Sequence, residues 1–106
     1  MPGDRKGVLL VMYDLPVETS AQRKSARLFR KFLVSGGFQP VQKSVYVKLM
    51  RNDSGMEPEF EEIKKAAPKD GTVNAIAMSL SVFLNMKNVC GKPFGKSGFA
   101  GDLIMI

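Results

Sequence analysis

The chain has 106 residues, a hydrophobic fraction of 44% and a net charge of +6, which fits one folded domain with one core and excludes a two-domain or disordered protein. It has no histidine and a single cysteine, Cys90. That excludes Ser-His-Asp and Cys-His catalysis, His-ligated or thiolate zinc cages and an internal disulfide, and leaves hard-cation chemistry with Mg²⁺ or Mn²⁺ as the metal option.

The first element runs from Gly7 to Asp14. Val8-Leu9-Leu10-Val11-Met12-Tyr13 is a short apolar run, far below the roughly 20 residues of a membrane span, and reads as a buried central strand. It ends on Asp14, at the carboxyl end of the strand, where mixed folds often place their chemistry. Leu15-Pro16 breaks the strand. Thr19-x-x-Gln22 forms a capping-box pattern and opens a helix that runs to Ser35 before Gly36-Gly37. At about 100° per residue, Arg23, Lys24, Arg27, Arg30 and Lys31 share one arc. Ala26, Leu28, Phe29, Phe32 and Leu33 are expected on the opposite, inward arc. No acid lies four residues from any of the five cations, so the ridge has no pairing along the helix.

Phe38–Val41 and Ser44–Met50 read as two strands with no recognisable turn residues between them. Val45, Val47 and Leu49 share one face, and Ser44, Tyr46 and Lys48 the other. A loop covers 51–55, and a second helix spans Glu57–Ala67, with acids early and Lys64 and Lys65 late, as its dipole favours. Thr72–Leu80 reads as a strand, 81–87 as a short helical turn and 88–91 as a brief strand. Gly91–Gly101 is a connector, and Asp102–Ile106 a terminal strand. This divides the chain into a domain over 1–90 and a connector with terminal strand over 91–106. Met78 and Phe83 are expected in the core, and Cys90 is expected buried and inert.

The order is βαββαβ with an added carboxy-terminal strand, an α+β ferredoxin-like fold. Its two helices cover one sheet face. The uninterrupted apolarity of the first strand therefore demands cover on the other, from a second copy of the chain or from the terminal segment. Between Arg5 and Arg51 the only acids are Asp14 and Glu18, the footprint of a polyanion partner or a solvated basic face. Asp14 is either a metal ligand or the leader of an Asx turn toward Val17. The helix ridge is either a phosphate-contacting surface or a solvated face. Tyr13 reads as core; Ser44, Tyr46 and Lys48 read as either substrate contacts or a packed interface. The aromatics form no exposed stacking platform, so base-specific reading of single strands is not expected. The single cysteine and the amino terminus, which lacks the layout of a leader, point to the cytoplasm.

Three blocks, Val-Met-Tyr-Asp-Leu-Pro-Val-Glu-Thr at 11–19, Arg23-Lys24 with Arg27–Leu33, and Gly37-Phe38 with Gln42-x-Ser44-Val45-Tyr46-x-Lys48-Leu49, resemble the Cas2 family. These are the small CRISPR-associated adaptation proteins of systems with a large single-chain effector. The resemblance implies a homodimer with sheets packed face to face and Asp14 of both subunits near the dimer axis, able to hold a divalent metal. It implies double-stranded DNA and a CRISPR integrase as partners, and a terminal strand, Asp102–Ile106, that crosses to the partner subunit. The basic residues themselves, Arg23, Lys24, Arg27, Arg30, Lys31 and Lys48, are the expected nucleic-acid contacts. Two activities fit it: a non-catalytic scaffold of spacer acquisition, or a metal-dependent endonuclease using Asp14. A small-ligand regulatory domain is the third class, disfavoured because no ligand loop is present.

Overall fold

The computed structural model of the chain describes residues 6–51 and 56–92. Seven elements follow in order: β1 (Gly7–Asp14), α1 (Ser20–Ser35), β2 (Gln39–Gln42), β3 (Val45–Met50), α2 (Met56–Ala66), β4 (Thr72–Ser79) and α3 (Leu80–Leu84). The strands form one four-stranded sheet in the order β2-β3-β1-β4, antiparallel throughout. This is the ferredoxin-like α+β arrangement expected from the element order. Of the connector and terminal strand expected over 91–106, residues 93–106 lie outside the described residues, as does most of the 51–55 loop.

β1 is central, and its side chains alternate between two apolar environments. Leu9 and Val11 join Phe29 and Leu33 of α1, Met56 and Ile63 of α2, Phe38 and Tyr46 in the main core. Val8 points the other way and packs with Val47 and Phe83 in a second, smaller cluster, with Leu10, Val41, Leu49, Met78 and Leu80 half-buried around it. Both long helices thus lie on one sheet face. The opposite face is covered in part by α3, capped by the Ser79 hydroxyl, which accepts from the Val82 N–H at 3.2 Å. Cover from within the described chain therefore exists, and it is partial: Met12 is 42% and Ile76 50% exposed.

α1 begins as its sequence dictates. The Thr19 hydroxyl accepts from the Gln22 N–H at 3.0 Å, and the Gln22 side-chain Oε1 accepts from the Thr19 N–H at 3.0 Å, which satisfies otherwise orphaned donors. The helix ends at Gly36, and Gly37 takes the left-handed turn at φ +96°. Phe29 and Leu33 are buried, but Leu28 is half exposed rather than inward. It lies about 100° around the helix from Phe29, on the flank beyond the reach of the sheet.

The turn without turn residues is Lys43-Ser44, closed by the Gln42↔Val45 pair, with Ser44 itself at φ 64°. A serine tolerates this left-handed position at some cost. A bulge between Pro40 and Gln42 sets Val41 out of register; Pro40 is accommodated because β2 is an edge strand. Two expectations fail at the carboxyl end. Residues 88–91 form no strand: α3 carries the chain away from the β4 edge, and Val89 stands 92% exposed. Cys90 is exposed, not buried, because it lies in the bend closed by the Asn88 side chain donating to its carbonyl.

Candidate nucleic-acid and metal site

β1 delivers Tyr13 and Asp14 to the end of the sheet where α1 begins and the β2–β3 turn closes. A cleft of about 910 Å³ opens there, lined among others by Tyr13, Asp14, Arg27, Arg30, Ser44 and Tyr46. Six residues singled out from sequence thus converge from three elements and one turn. The β1–β3 ladder is extended into the turn by the Tyr13 N–H, which donates to the Ser44 carbonyl at 3.1 Å.

The floor is aromatic. The Tyr13 ring stacks on Tyr46 with centroids 6.1 Å apart and planes at 13°, and meets Phe29 edge-on at 5.2 Å and 78°. Arg30 Nε donates to the Tyr46 hydroxyl at 3.0 Å, tying α1 to β3. Burial and the hydrogen bond to Tyr46 push the Tyr13 hydroxyl up to about 12, outweighing the opposing pulls of Ser44 and Arg30.

Asp14 is exposed. Its carboxylate takes part in no hydrogen bond or ion pair among the described residues, so the Asx-turn bond toward Val17 is not formed there. Its backbone is held closely: the Asp14↔Thr72 pair joins it to β4. Gly71 at φ +92° passes so near that a Cβ there would sit 2.6 Å from the Asp14 carbonyl oxygen. No group of three or more acidic, His or Cys side chains able to hold a metal occurs among the described residues. A single unpaired carboxylate fits Mg²⁺ that keeps most of its waters and shares its charge with phosphate oxygens or a second carboxylate; it does not fit a closed protein cage.

The five ridge cations divide by use. Arg23 Nη1 donates to the carbonyls of Val17 and Glu18 at 3.1 Å each, fastening the β1–α1 connection. Arg30 is tied to Tyr46. Lys24, Arg27 and Lys31 are exposed and have no hydrogen bond or ion pair among the described residues. Lys48 lies away from the cleft. It pairs with Glu59 of α2 at 2.8 Å and sits 5.7 Å from the Phe38 ring centroid, so its charge is already answered. The Arg30–Tyr46 bond was missed by sequence reasoning; the clue was the α1 arc, on which Arg30 is the ridge residue nearest the buried Phe29 stripe.

Residues 8–86 match the family described as CRISPR associated protein Cas2. A protein of Ligilactobacillus salivarius named CRISPR-associated endoribonuclease Cas2 is 37% identical over 84 residues, covering 79% of this chain and 83% of the relative. Relatives of the same name from Streptococcus mutans are 37% identical over 78 residues, 74% of this chain and 73% of the relative. One from Acidovorax ebreus is 29% identical over 85 residues, 80% and 83%.

Proposed function

The chain belongs to the Cas2 family of CRISPR-associated proteins, and from that premise we propose that it is the DNA-holding subunit of spacer acquisition. In this reading a homodimer grips double-stranded DNA by its backbone and bridges CRISPR integrase dimers. The observation that carries it is the outward face of α1, where Lys24, Arg27 and Lys31 stand without any acidic partner among the described residues. Unpaired cations at a spacing where like charges repel are explained by an external polyanion. The exposed Met12 and Ile76 on the opposite sheet face supply an apolar surface for the second copy. Contacts of this kind read phosphates rather than bases.

Replacing Arg27 and Lys31 together with Ala tests it. Duplex affinity should fall for every sequence, and the salt dependence should become shallower by about 0.9 per lost phosphate contact. Unaltered affinity makes the ridge a solvated face and rejects the reading.

A second reading, metal-dependent endonuclease, is favoured by one arrangement: Asp14 lines the same cleft as Arg27 and Arg30, an acid beside phosphate-binding cations. It also agrees with the names of the relatives. Asp14 is the residue that would hold Mg²⁺ or Mn²⁺, which supplies charge neutralisation at phosphate and a more acidic bound water. Arg27 and Arg30 would orient the phosphate. Asp14→Asn separates the two readings. The scaffold keeps duplex binding and spacer acquisition while divalent affinity falls; the nuclease loses hydrolysis. Loss of acquisition in a variant that remains folded, dimeric and DNA-bound overturns the scaffold reading.

A further inference from the structure

Tyr46 is 4% exposed, yet its hydroxyl reaches the cleft and receives Arg30 Nε at 3.0 Å. We propose that Tyr46 is a positioning residue: it fixes the Arg30 guanidinium at the cleft floor, and with Arg27 it completes a subsite for one phosphate group of a nucleic acid. This deepens the reading of the chain as a nucleic-acid binder and rests on it.

A free arginine side chain loses considerable rotamer freedom when a ligand fixes it. Anchoring it through Nε removes part of that freedom before any ligand arrives and leaves both Nη groups without a partner among the described residues, free to donate to a phosphate. Neither Arg30 nor Arg27 forms an ion pair with Asp14 or any other acid among the described residues, so both charges remain available. The anchor is itself immobilised. The Tyr46 ring is stacked on Tyr13, and Tyr13 is braced against Phe29. The Tyr13 hydroxyl belongs to the same cleft and stays protonated through the neutral range. The two guanidinium groups and the neutral hydroxyls form a donor set suited to an anion, and they share the cleft with the Asp14 carboxylate. A backbone phosphodiester and a strand-end phosphomonoester share this chemistry.

Tyr46→Phe keeps the ring and its stacking and deletes the anchor. Duplex binding should weaken about threefold to tenfold, with the salt slope reduced by about 0.9. Arg30→Ala should do the same, and the double variant should bind no more weakly than Arg30→Ala alone. Arg30→Lys, which keeps the charge but has no Nε to anchor, should match Tyr46→Phe. Additive losses, or wild-type binding by Arg30→Lys, overturn the positioning role. Titration with inorganic phosphate, followed by NMR at the Arg30 Nε–H, needs no duplex. A saturable shift that Tyr46→Phe abolishes supports the subsite; no saturable shift overturns it, however well duplexes bind. Failure to bind duplex with the phosphate shift intact instead rejects the DNA-holding reading alone. Equal losses on duplexes with and without 5′-phosphates assign the group to the backbone, and a loss confined to phosphorylated duplexes assigns it to a strand end.

Discussion

On the helix-covered face of the sheet, Leu9, Val11 and Tyr46 close against Phe29, Leu33, Phe38, Met56 and Ile63. On the other face, Val8 and Val47 have one buried aromatic, Phe83, above them, and beyond α3 the sheet shows Met12 and Ile76 to solvent. The same strand feeds both. β1 is apolar along its length because one face needs a core and the other needs a surface that α3 finishes only at one end. The first face carries the stability of the single chain; the second is where association has apolar area to gain.

The contrast can be broken at its strongest point first. Phe29→Ala removes the aromatic that touches both Tyr13 and Phe32 and should cost about 3–5 kcal/mol in denaturant unfolding. Phe83→Ala should cost less, because a five-residue helix is free to settle into the space. Equal losses would show the second face to be as firmly packed as the first. Next, in the proposed homodimer, Met12→Glu with Ile76→Glu should weaken self-association by about tenfold or more while leaving monomer stability near wild type. Unchanged dissociation in sedimentation would remove this face as the dimer surface. At the rim of the helix-covered face, Lys48→Ala deletes the half-buried Glu59 pair and should cost about 1 kcal/mol or less. A larger loss, read by thermal unfolding, would mean the rim shares in holding α2.

The last test is a pH dependence. Tyr13 titrates near its ordinary value of 10 when unfolded and near 12 when folded. The folded state therefore holds the proton more tightly between those values. Its contribution is complete below pH 10 and is lost as pH rises toward 12. Comparing wild type with Tyr13→Phe across this window isolates it from the lysines, and parallel curves would count against the buried, hydrogen-bonded hydroxyl.

Local chemistry made part of this legible in advance. The capping box at Thr19, the apolar run of β1, the early acids and late lysines of α2 and the element order all act within a few residues, and each appears where the pattern put it. What failed depended on distant geometry. Leu28 was assigned inward by an arc without knowledge of how far the sheet reaches. Residue type alone suggests a buried Cys90 and a strand at 88–91, whereas exposure there follows from the exit of α3. The Ser44 turn has no glycine to announce it. In the cleft, Tyr13, Asp14 and the basic helix were legible as separate signals. The Arg30–Tyr46 bond was not, because it joins residues from two elements whose facing is decided by the sheet.

Gly71 lies against the Asp14 carbonyl with no room for a side chain, and this makes position 71 a mechanical adjustment screw for the carboxylate. Gly71→Ala would force the turn before β4 and the end of β1 apart, and any displacement of Asp14 that follows keeps its charge. Set beside Asp14→Asn, it distinguishes dependence on the presence of that charge from dependence on its address. A bare electrostatic role tolerates a displaced charge far better than metal ligation, which depends on bond length and angle.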